Sequence, residues 1–300
     1  MHSSKVARAV LILSLLPVSL IAQTTQHDQA FWQAIAKNHY AVPANQSAAA
    51  LAHELSQLLG SPDPQLRDDL AYSIFANWIA RPNVLQPSEL QALTDLWRGN
   101  LKSGIGESGT NSVLKRSFSA LCLSMIAERD TKTPFLGETR YHQLLADALT
   151  YLQSERDLRG YDAKLGWIHA NAHTSDLLQA LAASSLLTSK EEKQILSAIG
   201  TRLSTAPQVY TQGEQDRMAA AVLAVIRRSS FDATDFESWL TRLQDDDKRV
   251  WANPLTPETL ASYQNHSYFL QALAVRLSLE PESSRVTDFK ARMLGILRSR

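Results

Sequence analysis

Segments rich in alanine and leucine follow one another along the chain, with apolar residues three and four apart and short polar breaks between them. That spacing places the apolar side chains on one face of a helix, whereas a half-buried strand would alternate with a period of two, and no long alternation of that kind occurs. The pattern predicts an all-α protein. Helices are expected over residues 28–40, 46–59, 65–80, 88–98, 111–128, 138–154, 164–186, 190–203, 214–229, 233–245, 257–279 and 284–298.

The breaks have chemical reasons. Gly60 ends one helix and the prolines of "GSPDP" start the next, while Thr188 and Ser189 stand before Glu191 and Glu192 at capping-box spacing. The longest irregular stretches, "RGNLKSGIGESGT" and "DTKTPFLG", lack the length and composition of an interdomain linker. One helical domain over residues 23–300 is therefore expected. Twelve consecutive helices suggest stacked pairs in a HEAT or armadillo-like α-solenoid; a closed α/α toroid would leave the same pattern, because periodicity reports buried faces and not closure.

Composition narrows the function. The 30 basic residues balance the 30 acidic ones, so the chain lacks the positive field that draws in nucleic acid or an anionic membrane. Lys5 and Arg8 precede the apolar run "AVLILSLLPVSLIA", which is followed by polar "QTTQHDQ". This order reads as a signal peptide over residues 1–22, cleaved near Ala22, since a spanning helix needs about 20 apolar residues. The mature chain is then expected in the periplasm or secreted, with no stable membrane anchor. Cys122 stands alone, which excludes an internal disulfide, and its place on an apolar helical face marks it as a buried small hydrophobe.

Candidate chemistry centres on "GWIHANAHTSDLL", residues 166–178. On a helix, His169, His173 and Asp176 would share a stripe about 60° wide at the edge of the packing face. Two imidazoles four residues apart can reach one metal ion, with Asp176 as a third ligand or as the group that orients an imidazole, and zinc is the natural ion for such a set. Structural histidines bonded to nearby carbonyls or carboxylates account for the same residues without any cofactor. Upstream, Arg156, Asp157, Arg159, Tyr161 and Asp162 lie in a loop that leads into this helix; downstream, Glu214, Asp216 and Arg217 open another. The first-turn carboxylates complement a helix dipole, or else Glu214 or Asp216 faces the histidines across a helix pair. Arg67 with Asp68 and Asp69, and Arg116 in an apolar helix, need buried carboxylate partners. Gly104 to Gly109 spell G-x-G-x-x-G, but a helix is expected before them where a dinucleotide site needs a strand, so no nucleotide site is assigned.

The segments "SPDPQLRDDLAYSIFANWI", "LKRSFSAL", "DLRGYDAKLGWIHANAHTSDLLQALA" and "GEQDRMAAAV", in this order, resemble the bacterial family known as domain of unknown function 2785. The centre of the resemblance is the Arg-Gly-Tyr loop followed by Gly-Trp-x-His-Ala-x-Ala-His-x-x-Asp-Leu-Leu. It implies a mostly helical architecture and no particular activity, and it places Asp157, Arg159, Tyr161, Trp167, His169, His173, Asp176, Glu214, Asp216 and Arg217 at motif positions. Asn171, between the histidines, is more polar than the pattern leads one to expect. The local Trp-x-His is also similar to the helical toroid of lanthionine cyclases, but the chain lacks the several cysteines those enzymes use for zinc.

No G-x-S-x-G elbow, Walker loop or calcium loop occurs. The function expected from these features is a protein- or peptide-binding module built on a helical array. The alternative is a metal-dependent hydrolase using His169 and His173 with a nearby carboxylate.

Overall fold

A computed structural model describes residues 27–299; the expected signal peptide lies outside them. The described residues form twelve α-helices: α1 (Gln29–Lys37), α2 (Ala48–Leu55), α3 (Ser73–Ala80), α4 (Pro87–Asn100), α5 (Ser112–Lys132), α6 (Gly137–Ser154), α7 (Ala170–Ala182), α8 (Ser189–Thr205), α9 (Glu214–Ile226), α10 (Ala233–Trp251), α11 (Pro257–Leu279) and α12 (Ser284–Arg298). A 3-10 turn (Ser56–Gly60) and a π-helical turn (Gln65–Tyr72) join α2 to α3. None of the helices is long and apolar enough to cross a membrane.

Caps set many of the boundaries. Thr188 and Glu191 form the expected capping box at the start of α8, and Gln86 with Glu89 forms another ahead of α4, with Pro87 in its first turn. Asp28, Ser47, Asp232 and Ser283 each accept a first-turn N–H, satisfying a donor that the helix itself leaves unpaired.

Packing is organised in rows. Helix α5 lies on α7, α7 on α9, and α9 on α11, while α4 packs on α5, α6 on α7, α8 on α9 and α11, and α10 on α8 and α11. The central helices α7 and α9 are buried almost all round, which explains their alanines: small side chains let neighbours approach from every direction. Buried apolar side chains from Trp32 to Ile296 make one continuous core.

The expected helix over 164–186 is much shorter in the structure. A two-stranded antiparallel hairpin, β1 (Tyr161–Asp162) and β2 (Gly166–Trp167), precedes α7, with Tyr161 opposite Trp167 and Asp162 opposite Gly166. Two features stop the helix from extending upstream. Gly166 has φ +68°, and Asp162 Oδ1 accepts the N–H groups of Lys164 at 2.8 Å and Leu165 at 2.9 Å, closing a turn.

Candidate functional site

The hairpin is fastened from behind by Arg67. Its fully buried guanidinium donates to the carbonyls of Leu165 (2.5 Å), Trp167 (3.1 Å) and Ser61 (2.8 Å), pairs with Asp68 at 2.7 Å, and lies 4.6 Å over the Phe118 ring. These contacts satisfy a charge that burial alone would make costly. On the other side, Gly160 passes so close to Gln212 that a Cβ there would stand 2.3 Å from its Cγ. The N–H groups of Ile168 and His169 return to the carbonyls of Gly160 (2.9 Å) and Arg159 (3.1 Å).

His169 follows as the N-cap of α7 in the left-handed region, φ 50°, and its carbonyl accepts the His173 N–H at 3.0 Å. A non-glycine residue held there is uncommon and is found where the surroundings enforce it. The expected helical stripe is therefore not a stripe on one helix: His169 stands before α7, while His173 and Asp176 lie within it. The two imidazoles still meet, edge to face, with centroids 5.7 Å apart. They belong to a run of rings from Tyr161 through Trp167, His169 and His173 to Phe118, with successive centroids 4.7 to 5.7 Å apart.

Hydrogen bonds fix the tautomers. His169 Nε2 lies 3.0 Å from the Gln212 carbonyl, which can only accept, so this nitrogen carries the proton; Glu214 Oε1 stands 3.5 Å away. His173 Nδ1 lies 2.8 Å from Ser117 Oγ, and the Ser117 hydroxyl donates to the Ile168 carbonyl, so Nδ1 is the donor to Ser117. Burial lowers the pKa of both rings, His173 furthest, and Glu214 partly opposes the effect at His169. Each is a neutral imidazole with one nitrogen used internally and the other, Nδ1 of His169 and Nε2 of His173, without a hydrogen-bond partner among the described residues.

Both histidines line a cavity of about 510 Å³ with Tyr72, Phe118, Trp167 and Arg217. Asp68 and Asp216 contribute its carboxylates. A second cavity of about 650 Å³ adjoins it, and the two share Tyr72, Leu121 and Arg217. Tyr161 and Trp167 stay exposed on the hairpin, at 56% and 42%.

The other motif residues divide by role. Arg217 Nη1 donates to both carboxylate oxygens of Asp176 at 2.8 Å; burial raises the Asp176 pKa and Arg217 opposes the rise. Asp176 thus faces Arg217 instead of completing a set with the histidines, and among the described residues no three His, Cys, Asp or Glu side chains gather to hold a metal ion. Asp216 takes a forked pair of bonds from Arg276 at 2.9 and 2.6 Å. Glu214 is buried behind His169 and accepts the Gln212 N–H at 2.8 Å.

Asp157 and Arg159 are fasteners. Asp157 accepts the Gly109 N–H at 2.9 Å and pairs with Arg159, which reaches the Thr110 carbonyl at 2.8 Å, so the glycine-rich loop between α4 and α5 is tied to the hairpin loop. Arg116 finds its carboxylate in Glu155, through two bonds of 2.6 and 3.0 Å. Tyr72, Ser117, Phe118 and Gln212 belong to the site although motif reasoning did not single them out; Ser117, one of two serines in the largely apolar "SFSALCL", was the signal for one of them.

The fold and site define a class: an all-α protein whose central row of helices carries a hairpin-capped cavity lined by aromatic rings and neutral imidazoles. The chain belongs to the family described as protein of unknown function (DUF2785), whose sequence model matches residues 101–275, more than half of its length. Comparison with curated proteins and with solved structures gives no match.

Proposed function

We propose that this is an exported protein of stacked helix pairs, an open solenoid, that binds an extended polypeptide segment along its central row. The observation that carries the reading is the joined groove: cavities of about 510 and 650 Å³ meet at Tyr72, Leu121 and Arg217, and Trp167, which lines the first, is exposed beside Tyr161. Exposed aromatic residues beside a groove are characteristic anchors for polypeptides. The bare imidazole nitrogens supply acceptors for a ligand's main-chain N–H groups, and the Arg217 guanidinium supplies donors for its carbonyls. Export rests on the order of basic, apolar and polar residues before position 27.

Titration of a random-sequence peptide library against the full chain tests the reading. Selected peptides are expected to lose at least tenfold in affinity, about 1.4 kcal/mol, with Trp167→Ala or Tyr72→Ala. Failure to select any peptide, or affinities indifferent to both substitutions, overturns it. Mass spectrometry of the mature N-terminus near Ala22 tests export independently.

The two unbonded imidazole nitrogens favour a second reading, a divalent ion such as zinc bridging His169 and His173 in a hydrolase. Elemental analysis of untagged protein separates the readings, since stoichiometric zinc lost in both His169→Ala and His173→Ala belongs only to the second.

A further inference from the structure

Away from the motif residues, α8, α10 and α11 bring together three side chains in the order serine, histidine, aspartate. Ser204 Oγ lies 3.0 Å from His266 Nε2, and His266 Nδ1 lies 2.8 Å from Asp247 Oδ1. His266 is fully buried and Asp247 nearly so, while Ser204 is half-buried at the meeting of two cavities of about 470 and 400 Å³. We propose that this is a nucleophilic site that transfers the acyl group of a small carboxylic ester from Ser204 to water, a role independent of the groove on the central row.

The geometry assigns the roles. Asp247 accepts a hydrogen bond from Nδ1–H and so holds the imidazole in the tautomer whose Nε2 can take a proton from Ser204. Two other acceptors surround the hydroxyl, the Gly200 carbonyl at 3.0 Å and Asp246 Oδ2 at 2.8 Å, and Arg249 pairs with the other oxygen of Asp246. A second, independent feature points to a ligand. Among the described residues the indole N–H of Trp239 is buried without a hydrogen-bond partner, and its side chain lines the larger cavity with Ser204. A Cβ at Gly200, one turn before Ser204, would stand 2.8 Å from Trp239 Nε1. Glycine is unfavourable within a helix relative to alanine, and here it makes room for the indole N–H against the helix that carries the nucleophile. An ester oxygen is the acceptor that such a donor lacks.

The reaction balances without a further cofactor. Ser204 Oγ forms a bond to the ester carbonyl carbon as its proton passes to His266 Nε2, and negative charge develops on the carbonyl oxygen, where the indole N–H serves as donor. The carbon–alkoxy bond breaks, and the leaving oxygen takes the proton from Nε2. Water then attacks the acyl-serine and gives a proton to Nε2, which returns it to Ser204 Oγ as the carboxylic acid departs.

The full-length chain, treated with a fluorophosphonate at neutral pH and digested for mass spectrometry, is expected to carry one phosphonyl group on Ser204. Ser204→Ala should abolish the adduct, and Asp247→Asn, which keeps the shape of the side chain, should slow labelling at least tenfold. A parent chain that takes up no phosphonyl group, labelling that survives Ser204→Ala, or a rate unchanged in Asp247→Asn overturns the proposal. Circular dichroism of each variant separates loss of the nucleophile from loss of the fold. Ser204→Cys gives a second readout: alkylation by iodoacetamide is expected at that position and not at fully buried Cys122, whose thiol burial makes harder to ionise. An unreactive thiol at position 204 in a folded chain overturns the site.

Discussion

Arg67 donates from Nη2 to the main-chain carbonyl of Trp167 at 3.1 Å, joining residues 100 positions apart. The same guanidinium holds Leu165 and faces Phe118, so one side chain fixes both the hairpin and the floor of the cavity. Arg67→Met would strand these carbonyls and leave Asp68 without its partner. Hydrogen bonds to a charged group contribute roughly 1.5–3 kcal/mol, so a loss of about 3 kcal/mol is expected in urea unfolding. Arg67 also lies upstream of the matched family segment, and residues 101–275 expressed alone are expected to be less stable than the full chain.

Gly160→Ala places a Cβ against the Gln212 side chain, the residue whose carbonyl fixes His169. Overpacking of this kind costs about 1–3 kcal/mol. The melting temperature should fall, and a shift in the His169 ring resonances would follow the displaced carbonyl in nuclear magnetic resonance spectra.

The Arg116–Glu155 pair is buried on both sides, at 0% and 4% side-chain exposure. Removing one partner of a buried pair typically costs about 3–5 kcal/mol because the other charge is left alone, so Arg116→Met should be strongly destabilising. Arg116→Met combined with Glu155→Gln should recover part of the loss. Equal stabilities for the single and double variants, measured by urea unfolding, would contradict that coupling.

His169 and His173 make stability depend on pH in a fixed direction. Their folded pKa values lie below the ordinary value of about 6.5, so the unfolded chain binds more protons in the window beneath it. Their contribution is complete above that value and is lost as pH falls below it, by at most about 1.4 kcal/mol per pH unit for each ring. Asp176, whose pKa is raised, works in the opposite sense, because the folded chain keeps its proton longer as pH rises. Unfolding free energies at pH 7.5 and 5 should differ less in His173→Gln than in the parent, about those measurement conditions.

Helices were legible in the sequence because each has a complete apolar face and many have a cap. The expected ranges 257–279 and 284–298 agree with α11 and α12, where Pro257 and Ser283 mark the starts. The need of Arg116 for a carboxylate was legible from its apolar surroundings, although Glu155 as the partner was not. The hairpin was hidden by its brevity, since two residues per strand cannot show a period. His169 was misplaced onto a helix because the left-handed turn depends on Gln212 and Gly160, which converge only in three dimensions. Ser204 and His266 stand 62 positions apart on different helices, and no local pattern links them.

The hairpin tip has a use in another setting. Ala163 and Lys164 are exposed, so trypsin can approach the bond after Lys164, yet Asp162 holds the main-chain N–H groups of Lys164 and Leu165 in a tight turn. A protease needs its substrate drawn out straight, and this turn has to come undone first. Cutting after Lys164 therefore clocks how often the hairpin lets go, and anything seated against Trp167 should slow that clock.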